Sequence, residues 1–244
     1  MLKQKLKKLL MSNKNMDFKK WEIYYRKILE DFSFSAENDE KSAVILNQIL
    51  ENKKILSLKK IEKLIKNNEI IVFGGGPSLK KSYEKHIDFI KNKIKITADG
   101  ATTLLIENDI YPDIVVTDLD GRIQDQLKAN KKGSIVVIHA HGDNIKNIKK
   151  IVPNFTGHLI GTTQTNPKKY FNLHNFGGFT DGDRAVFLAD HFKAKKIFLI
   201  GFDFDGKIGR YSFTKNFKIK NRKLEWCKFF IEKIMEKNKN IKFL

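Results

Sequence analysis

A chain of 244 residues with 41% hydrophobic content is long enough to bury a full core within one domain of ordinary to large size. It has no run approaching the roughly 18 apolar residues of a spanning helix, and its one cysteine, Cys227, excludes an internal disulfide and a thiolate-rich structural zinc site. The formal net charge of +19 comes mostly from lysines spread along the chain, without an Arg-rich run or an aromatic-and-basic platform, so it reads as a solvated surface that attracts polyanions such as a nucleoside triphosphate, with no nucleic acid expected as partner.

Residues 1–16 thread basic side chains through a few leucines and lack the uninterrupted apolar region of a signal peptide, so a loose basic leader on a cytoplasmic protein is expected. Met16, directly before the first periodic segment, is a second candidate start. In DFKKWEIYYRKILEDF, Trp21, Tyr24, Tyr25, Ile28, Leu29 and Phe32 recur at helical spacing. SAENDEKSAVILNQIL follows with Ser35 as a cap, and SLKKIEKLIKN repeats the pattern, so residues 17–68 are expected to form a helical N-terminal subdomain. Its aromatic faces leave open a cover for the sheet or for a second subunit, as in a homodimer.

From Glu69 the pattern changes. EIIVFGGG, KIKITADG, DIVVTDLDG, SIVVIHAHG, GHLIGTT and KIFLIGFDF are short apolar runs, each followed by Gly or acidic residues and then by a stretch able to form a helix. NRKLEWCKFFIEKIMEK closes the chain as an amphipathic helix. Residues 69–244 are therefore expected as an α/β catalytic domain, Rossmann-like, with a mostly parallel sheet and helices on both faces.

In such a sheet, ligands bind beyond the carboxyl ends of the strands. The unusual residues fall there. Gly74, Gly75 and Gly76 would let the backbone approach a phosphate with positive φ, and Ser78 would cap the next helix. Asp99 and Gly100 end the second run; Asp118 and Asp120, read as lying on one side of an extended chain, end the third. A lone Asp at a strand end is ordinarily a cap or turn, but a pair with a third acid on the neighbouring strand points to a hard cation such as Mg²⁺ held with a nucleotide. His139 and His141, two residues apart, could both face the crevice, with one ordering a phosphate; Asp143 would join the metal or, like Asn144, cap the following helix. In GGFTDGDRA, a capped helix start accounts for Thr180 and Asp181, whereas Arg184 is unfavourable at the positive end of a helix dipole unless it meets an anion. Asp203 and Asp205 form a second acidic pair that reads equally as a turn.

The ordered set GGGPS, TADGAT, YPDIVVTDLDG, HAHGDN, GGFTDGDRA and GFDFDGKIGRYS resembles the archaeal 6-hydroxymethyl-7,8-dihydropterin diphosphokinase family, itself similar to thiamine diphosphokinases in its ADG and D-x-D elements. The resemblance covers roughly residues 17 to 214. It implies Mg²⁺- and ATP-dependent transfer of diphosphate to the hydroxymethyl group of a pterin alcohol, with release of AMP, in tetrahydromethanopterin or folate-type pterin biosynthesis. On that reading Asp118, Asp120, Asp99 and Asp143 hold metal. Gly74, Gly75, Gly76, Ser78, Asp99, Gly100 and His141 contact the nucleotide, Arg184 neutralises charge in catalysis, and Gln164, Phe179, Thr180, Asp181 and Asp183 receive the pterin. Other readings are a thiamine diphosphokinase, a nucleotide-sugar-dependent glycosyltransferase-like protein, and a non-catalytic nucleic-acid binder suggested by charge alone.

Overall fold

The computed structural model describes residues 17–213 and 217–244; the basic leader expected over 1–16 lies outside the described residues. Three helices come first: α1 (Phe18–Phe32), α2 (Ala36–Leu50) and α3 (Leu58–Ile65). The six apolar runs form β1 (Glu69–Phe73), β2 (Ile94–Ala98), β3 (Ile114–Thr117), β4 (Ile135–Ala140), β5 (Leu159–Thr163) and, after the short β6 (Leu173–His174), β7 (Lys196–Ile200). Between them lie α4 (Leu79–Lys85), α5 (Ile87–Lys91), α6 (Ala101–Glu107), α7 (Ile123–Lys131), α8 (Ile145–Ile151) and α9 (Asp181–His191), and the chain ends in α10 (Phe217–Lys237) and β8 (Ile241–Phe243).

All eight strands pair in parallel in one sheet of order β6-β5-β4-β3-β2-β1-β7-β8. Each run is apolar at successive positions because both faces are covered. Ile70, Val72, Ile96 and Val116 meet Ile61 of α3, Leu188 of α9 and Ile231 of α10 on one face. On the other, Ile71 and Phe73 meet Leu79 and Leu104, while Val136 and Ile138 meet Leu46 and Leu50 of α2. Helices α2 and α3 thus cover the sheet itself, on opposite faces, while α1 packs on α10. Ser35 caps α2, its Oγ accepting from Asn38 N at 3.2 Å, and α1 buries Trp21, Tyr25 and Ile28 on the helical stripe, Trp21 against Phe230 of α10.

Strands are added outward from β1 to β6, and β7 then returns to the opposite side of β1. That reversal opens a crevice beyond the carboxyl ends of the central strands, the place where such sheets take ligands. No helix among the described residues is long and apolar enough to cross a membrane.

Candidate active site

An open cleft at this rim is lined by Gly74, Gly75 and Gly76 after β1, Asp99 and Gly100 after β2, Asp118 and Asp120 after β3, and His141 after β4. Phe179, Thr180, Asp181 and Arg184 enter from the start of α9, and residues 201–213 close one side. At its centre Asp99, Asp118, Asp120 and Asp181 bring one carboxylate oxygen each to within 4.8 Å of one another. Asp118 and Asp120 converge through a kink rather than along an extended chain, since Leu119 between them is buried with φ 71°. Its backbone N–H donates to Thr117 Oγ1 (2.8 Å), and its carbonyl accepts from Asn147 Nδ2 (2.8 Å). Asp99 also has positive φ, 38°, and its Oδ1 accepts from Thr117 Oγ1 (2.6 Å) and Gln126 Nε2 (2.7 Å). Two non-glycine residues in this rare conformation at one rim mark a site whose surroundings over-determine it. The Gly of TDLDG has a steric reason: a Cβ on Gly121 would lie 2.1 Å from Asp99 Oδ2.

Crowding sets the electrostatics. Burial, then the charges of Asp120, Asp181 and Asp118, pushes Asp99 well above the usual carboxylate range. Asp120, exposed at the cleft mouth, is raised to about 6 by desolvation among its crowded neighbours and then by Asp118, and Asp181 is raised by burial and Asp118 against the pull of Arg184. Burial opposes ionisation of Asp118 as well, but the His141 ring, with Lys223 and Arg184 adding positive charge, outweighs it and holds this carboxyl well below the ordinary range. His141 Nε2 lies 3.3 Å from Asp118 Oδ2, and Asp118 Oδ1 is buried without a hydrogen-bond partner. A buried, unpartnered carboxylate oxygen among four acids is the donor set a hard divalent cation takes.

For metal-free protein the sign follows from these directions. Asp120, Asp99 and Asp181 bind protons more tightly folded than unfolded, so their contribution is complete below about pH 4 and is lost as pH rises through the raised values, about 6 for Asp120. Asp118 runs the other way, its contribution being present above about pH 4 and lost only in strong acid. Adding Mg²⁺ is therefore expected to raise Tm more at pH 8 than at pH 5. Melting curves with and without the ion at both pH values check this, and an equal shift at both would remove the acid cluster as the binding site.

Several expected ligands sit elsewhere. Asp143 is exposed on the short turn Gly142–Asn144 and does not reach the acids; Asp181, expected at the pterin, is the fourth member of the cluster instead. Asp183 is fully buried and does not line the cleft; its Oδ2 accepts from Phe179 N (2.6 Å) and Oδ1 from Thr180 N (2.7 Å) and from the Thr180 hydroxyl, so it builds the start of α9. Ser78 makes no side-chain cap; its Oγ donates to Asp203 Oδ2 (2.8 Å), which also accepts from Ser78 N. None of Gly74, Gly75 and Gly76 takes positive φ, and the space a Cβ would need at Gly74 is occupied by the carbonyl of Gly201, 2.6 Å away. Their close approach is to the 201–213 segment. His139 is 3% exposed and faces Thr162 of β5 (Nδ1 to Oγ1, 3.0 Å), not the cleft, and burial, with Arg184 behind it, pushes its pKa down. Asn144 takes the N-cap position of α8, but its side chain makes no cap bond to that helix: its amide accepts from His141 N and donates to the carbonyls of Asp118 (2.8 Å) and His139 (2.7 Å).

Arg184, 7% exposed, directs Nη1 at Asp181 Oδ1 (3.1 Å). Gln164 and Phe179 both line the cleft, and Phe179 and Phe34 flank Phe32, each at a centroid distance of 5.2 Å, so aromatic side chains from the α1–α2 junction form one wall.

Residues 45–209 match the family model described as 6-hydroxymethylpterin diphosphokinase MptE-like. The chain belongs to this family. Proteins named 6-hydroxymethyl-7,8-dihydropterin pyrophosphokinase are similar to it: that of Methanocaldococcus jannaschii is 46% identical over 91% of this chain and 97% of that protein. Those of Methanothermobacter thermautotrophicus and Pyrococcus furiosus are 44% identical over 81% and 83%, and 41% identical over 89% and 94%, of the two chains respectively. The solved Maf glycosyltransferase of Magnetospirillum magneticum AMB-1 shares 16% identity over 70% of this chain and 28% of that one, at a TM-score of 0.46, a likeness too slight to bear on function.

In this MptE-like chain, Asp39 does not line the cleft but anchors Gln164, which does, and sequence reading passed it over. It lies on α2, 2% exposed, and accepts from Tyr25 OH (2.8 Å), Gln164 Nε2 (2.7 Å) and Gly142 N (2.7 Å). It thereby ties the helical segment to the loops after β4 and β5. Its only signal in the sequence is an acid on the inward stripe of an amphipathic helix, in line with Ser42, Ala43 and Leu46.

Proposed function

We propose that the protein transfers the terminal diphosphate of ATP to the hydroxymethyl oxygen of 6-hydroxymethyl-7,8-dihydropterin. The observation that carries this is the convergence of four carboxylates within 4.8 Å at the crevice where the sheet reverses, in a family whose curated members are named for that reaction. The hydroxyl oxygen attacks the β-phosphorus, the bond from that phosphorus to the α,β-bridging oxygen breaks, AMP leaves, and the hydroxyl proton passes to solvent. Asp99, Asp118, Asp120 and Asp181 would hold Mg²⁺, which when bound neutralises phosphate charge and orients the reacting phosphorus.

The protein's own part is positioning. Phosphoryl-type transfer has a loose transition state, so alignment and charge matter more than a strong base. His141 holds Asp118 ionised, Arg184 holds Asp181, and the buried Asn144 amide ties the Asp118 carbonyl to β4. The Phe34 and Phe179 wall offers a flat heterocycle an apolar slot, and Gln164, anchored by Asp39, borders it.

Product analysis tests this: purified protein, ATP, Mg²⁺ and the pterin alcohol, with thiamine in a parallel tube. AMP formed in step with a pterin diphosphate is expected. AMP formed only with thiamine, or no AMP from either, overturns the assignment.

A further inference from the structure

The inward stripe of α10 is apolar over most of its length: Cys227, Phe230, Ile231 and Ile234 recur at helical spacing and are buried. Continued toward the helix start, the same stripe carries Leu224, Lys223 and Lys220, and all three line the cleft together with Cys227. Lysine on an inward stripe is unusual, and two in the first two turns stand against the helix dipole, a placement that is unfavourable unless an anion faces them. Neither lysine has a carboxylate within ion-pair reach among the described residues; the nearby cations Arg184 and Lys207 are paired with Asp181 and Asp205. Lys223 Nζ stands 6.0 Å from the centre of the Phe179 ring, so it looks across the aromatic wall into the cleft.

One side of the cleft is therefore acidic and the other carries two ammonium groups on a single helix face, whose charges act on Asp120 and Asp118 at a distance without forming an ion pair among the described residues. A triphosphate remains anionic after a divalent cation has bound it, and needs both. We propose that Lys220 and Lys223 form the polyphosphate-binding side of the site, gripping the nucleotide's phosphates opposite the acid cluster. This deepens the function proposed above and rests on it. It also moves the role of phosphate cation from Arg184, whose Nη1 is turned to Asp181, to a helix that lies outside the span matched by the family model.

The probe is inorganic tripolyphosphate, titrated calorimetrically into the full chain at saturating Mg²⁺. K220Q/K223Q is expected to weaken binding by about tenfold for each lysine removed, K220R/K223R to stay within threefold of wild type, and K228Q, on the exposed face of α10, to leave binding unchanged. In steady state, K220Q/K223Q should raise the KM for ATP and leave that for the pterin alcohol. Unchanged or tighter tripolyphosphate binding by K220Q/K223Q, with an unaltered melting curve, overturns the proposal, because lysines acting only as counter-ions to the acids would leave metal and polyphosphate binding as strong or stronger. The two readings fail separately. A wild-type protein that makes no AMP but loses tripolyphosphate affinity in the variant keeps the lysine site and loses the reaction; one that turns over while the variant binds normally does the reverse.

Discussion

Asp120→Asn is expected to lower the rate of AMP release by about 10²–10³-fold while leaving the metal-free protein at least as stable as wild type. The two effects have one origin. Asp120 stands at the exposed, open side of the cleft beside Asp118 and Asp99, and desolvation within the crowded cleft followed by the Asp118 charge raises its pKa to about 6. An amide removes the repulsion and, with it, one of the four charges that attract the ion. Steady-state AMP release and a melting curve in chelator measure both halves. A rate close to wild type would remove Asp120 as a ligand, and a marked loss of Tm would make its role structural instead.

Asp39→Ala is expected to act the other way, on the fold first. Three donors lose their shared acceptor, Tyr25 OH and Gln164 Nε2 in the interior and Gly142 N at a part-buried turn. At about 1 kcal/mol or more for each stranded group the loss is about 3 kcal/mol, which in a chain of this size lowers Tm by about 6–12 °C. Thermal unfolding followed by circular dichroism checks it. A Tm within about 2 °C of wild type would mean that the three donors find other partners and that α2 is held to the sheet by Leu46 and Leu50 alone.

The strands were legible because a parallel sheet covered on both faces demands unbroken apolar runs, and β1 to β5 and β7 are such runs. Leu173–His174 and Ile241–Phe243 escaped because two or three residues at a sheet edge carry no periodicity. Asp99, Asp118 and Asp120 could be placed at one rim from the strand ends alone. Asp181 could not be added to them: a helix start accounts for an Asp locally, and only the packing of α9 over β1, β2 and β3 brings it to the other three. Asp143 and His139 misled for the complementary reason. Both lie two residues from His141, which lines the cleft, and share its strand end, but the turn at Gly142 leaves one in solvent and the pleat of β4 turns the other toward Thr162.

The amino-acid sequence by itself determined the α/β class, the position of each main strand and the clustering of acids and glycines at strand ends, because these depend on periodicity and on local turn chemistry, both of which are short-range. The tertiary structure decided which of those residues meet. A kink at Leu119 and the reach of α9 set the four acids, Asp39 is joined to Gly142 and Gln164 across more than a hundred positions, and α10 returns Lys220 and Lys223 to the opposite wall. Those juxtapositions depend on contacts between segments distant in the chain, and such contacts come into being only when the sheet is wound and its two faces are covered.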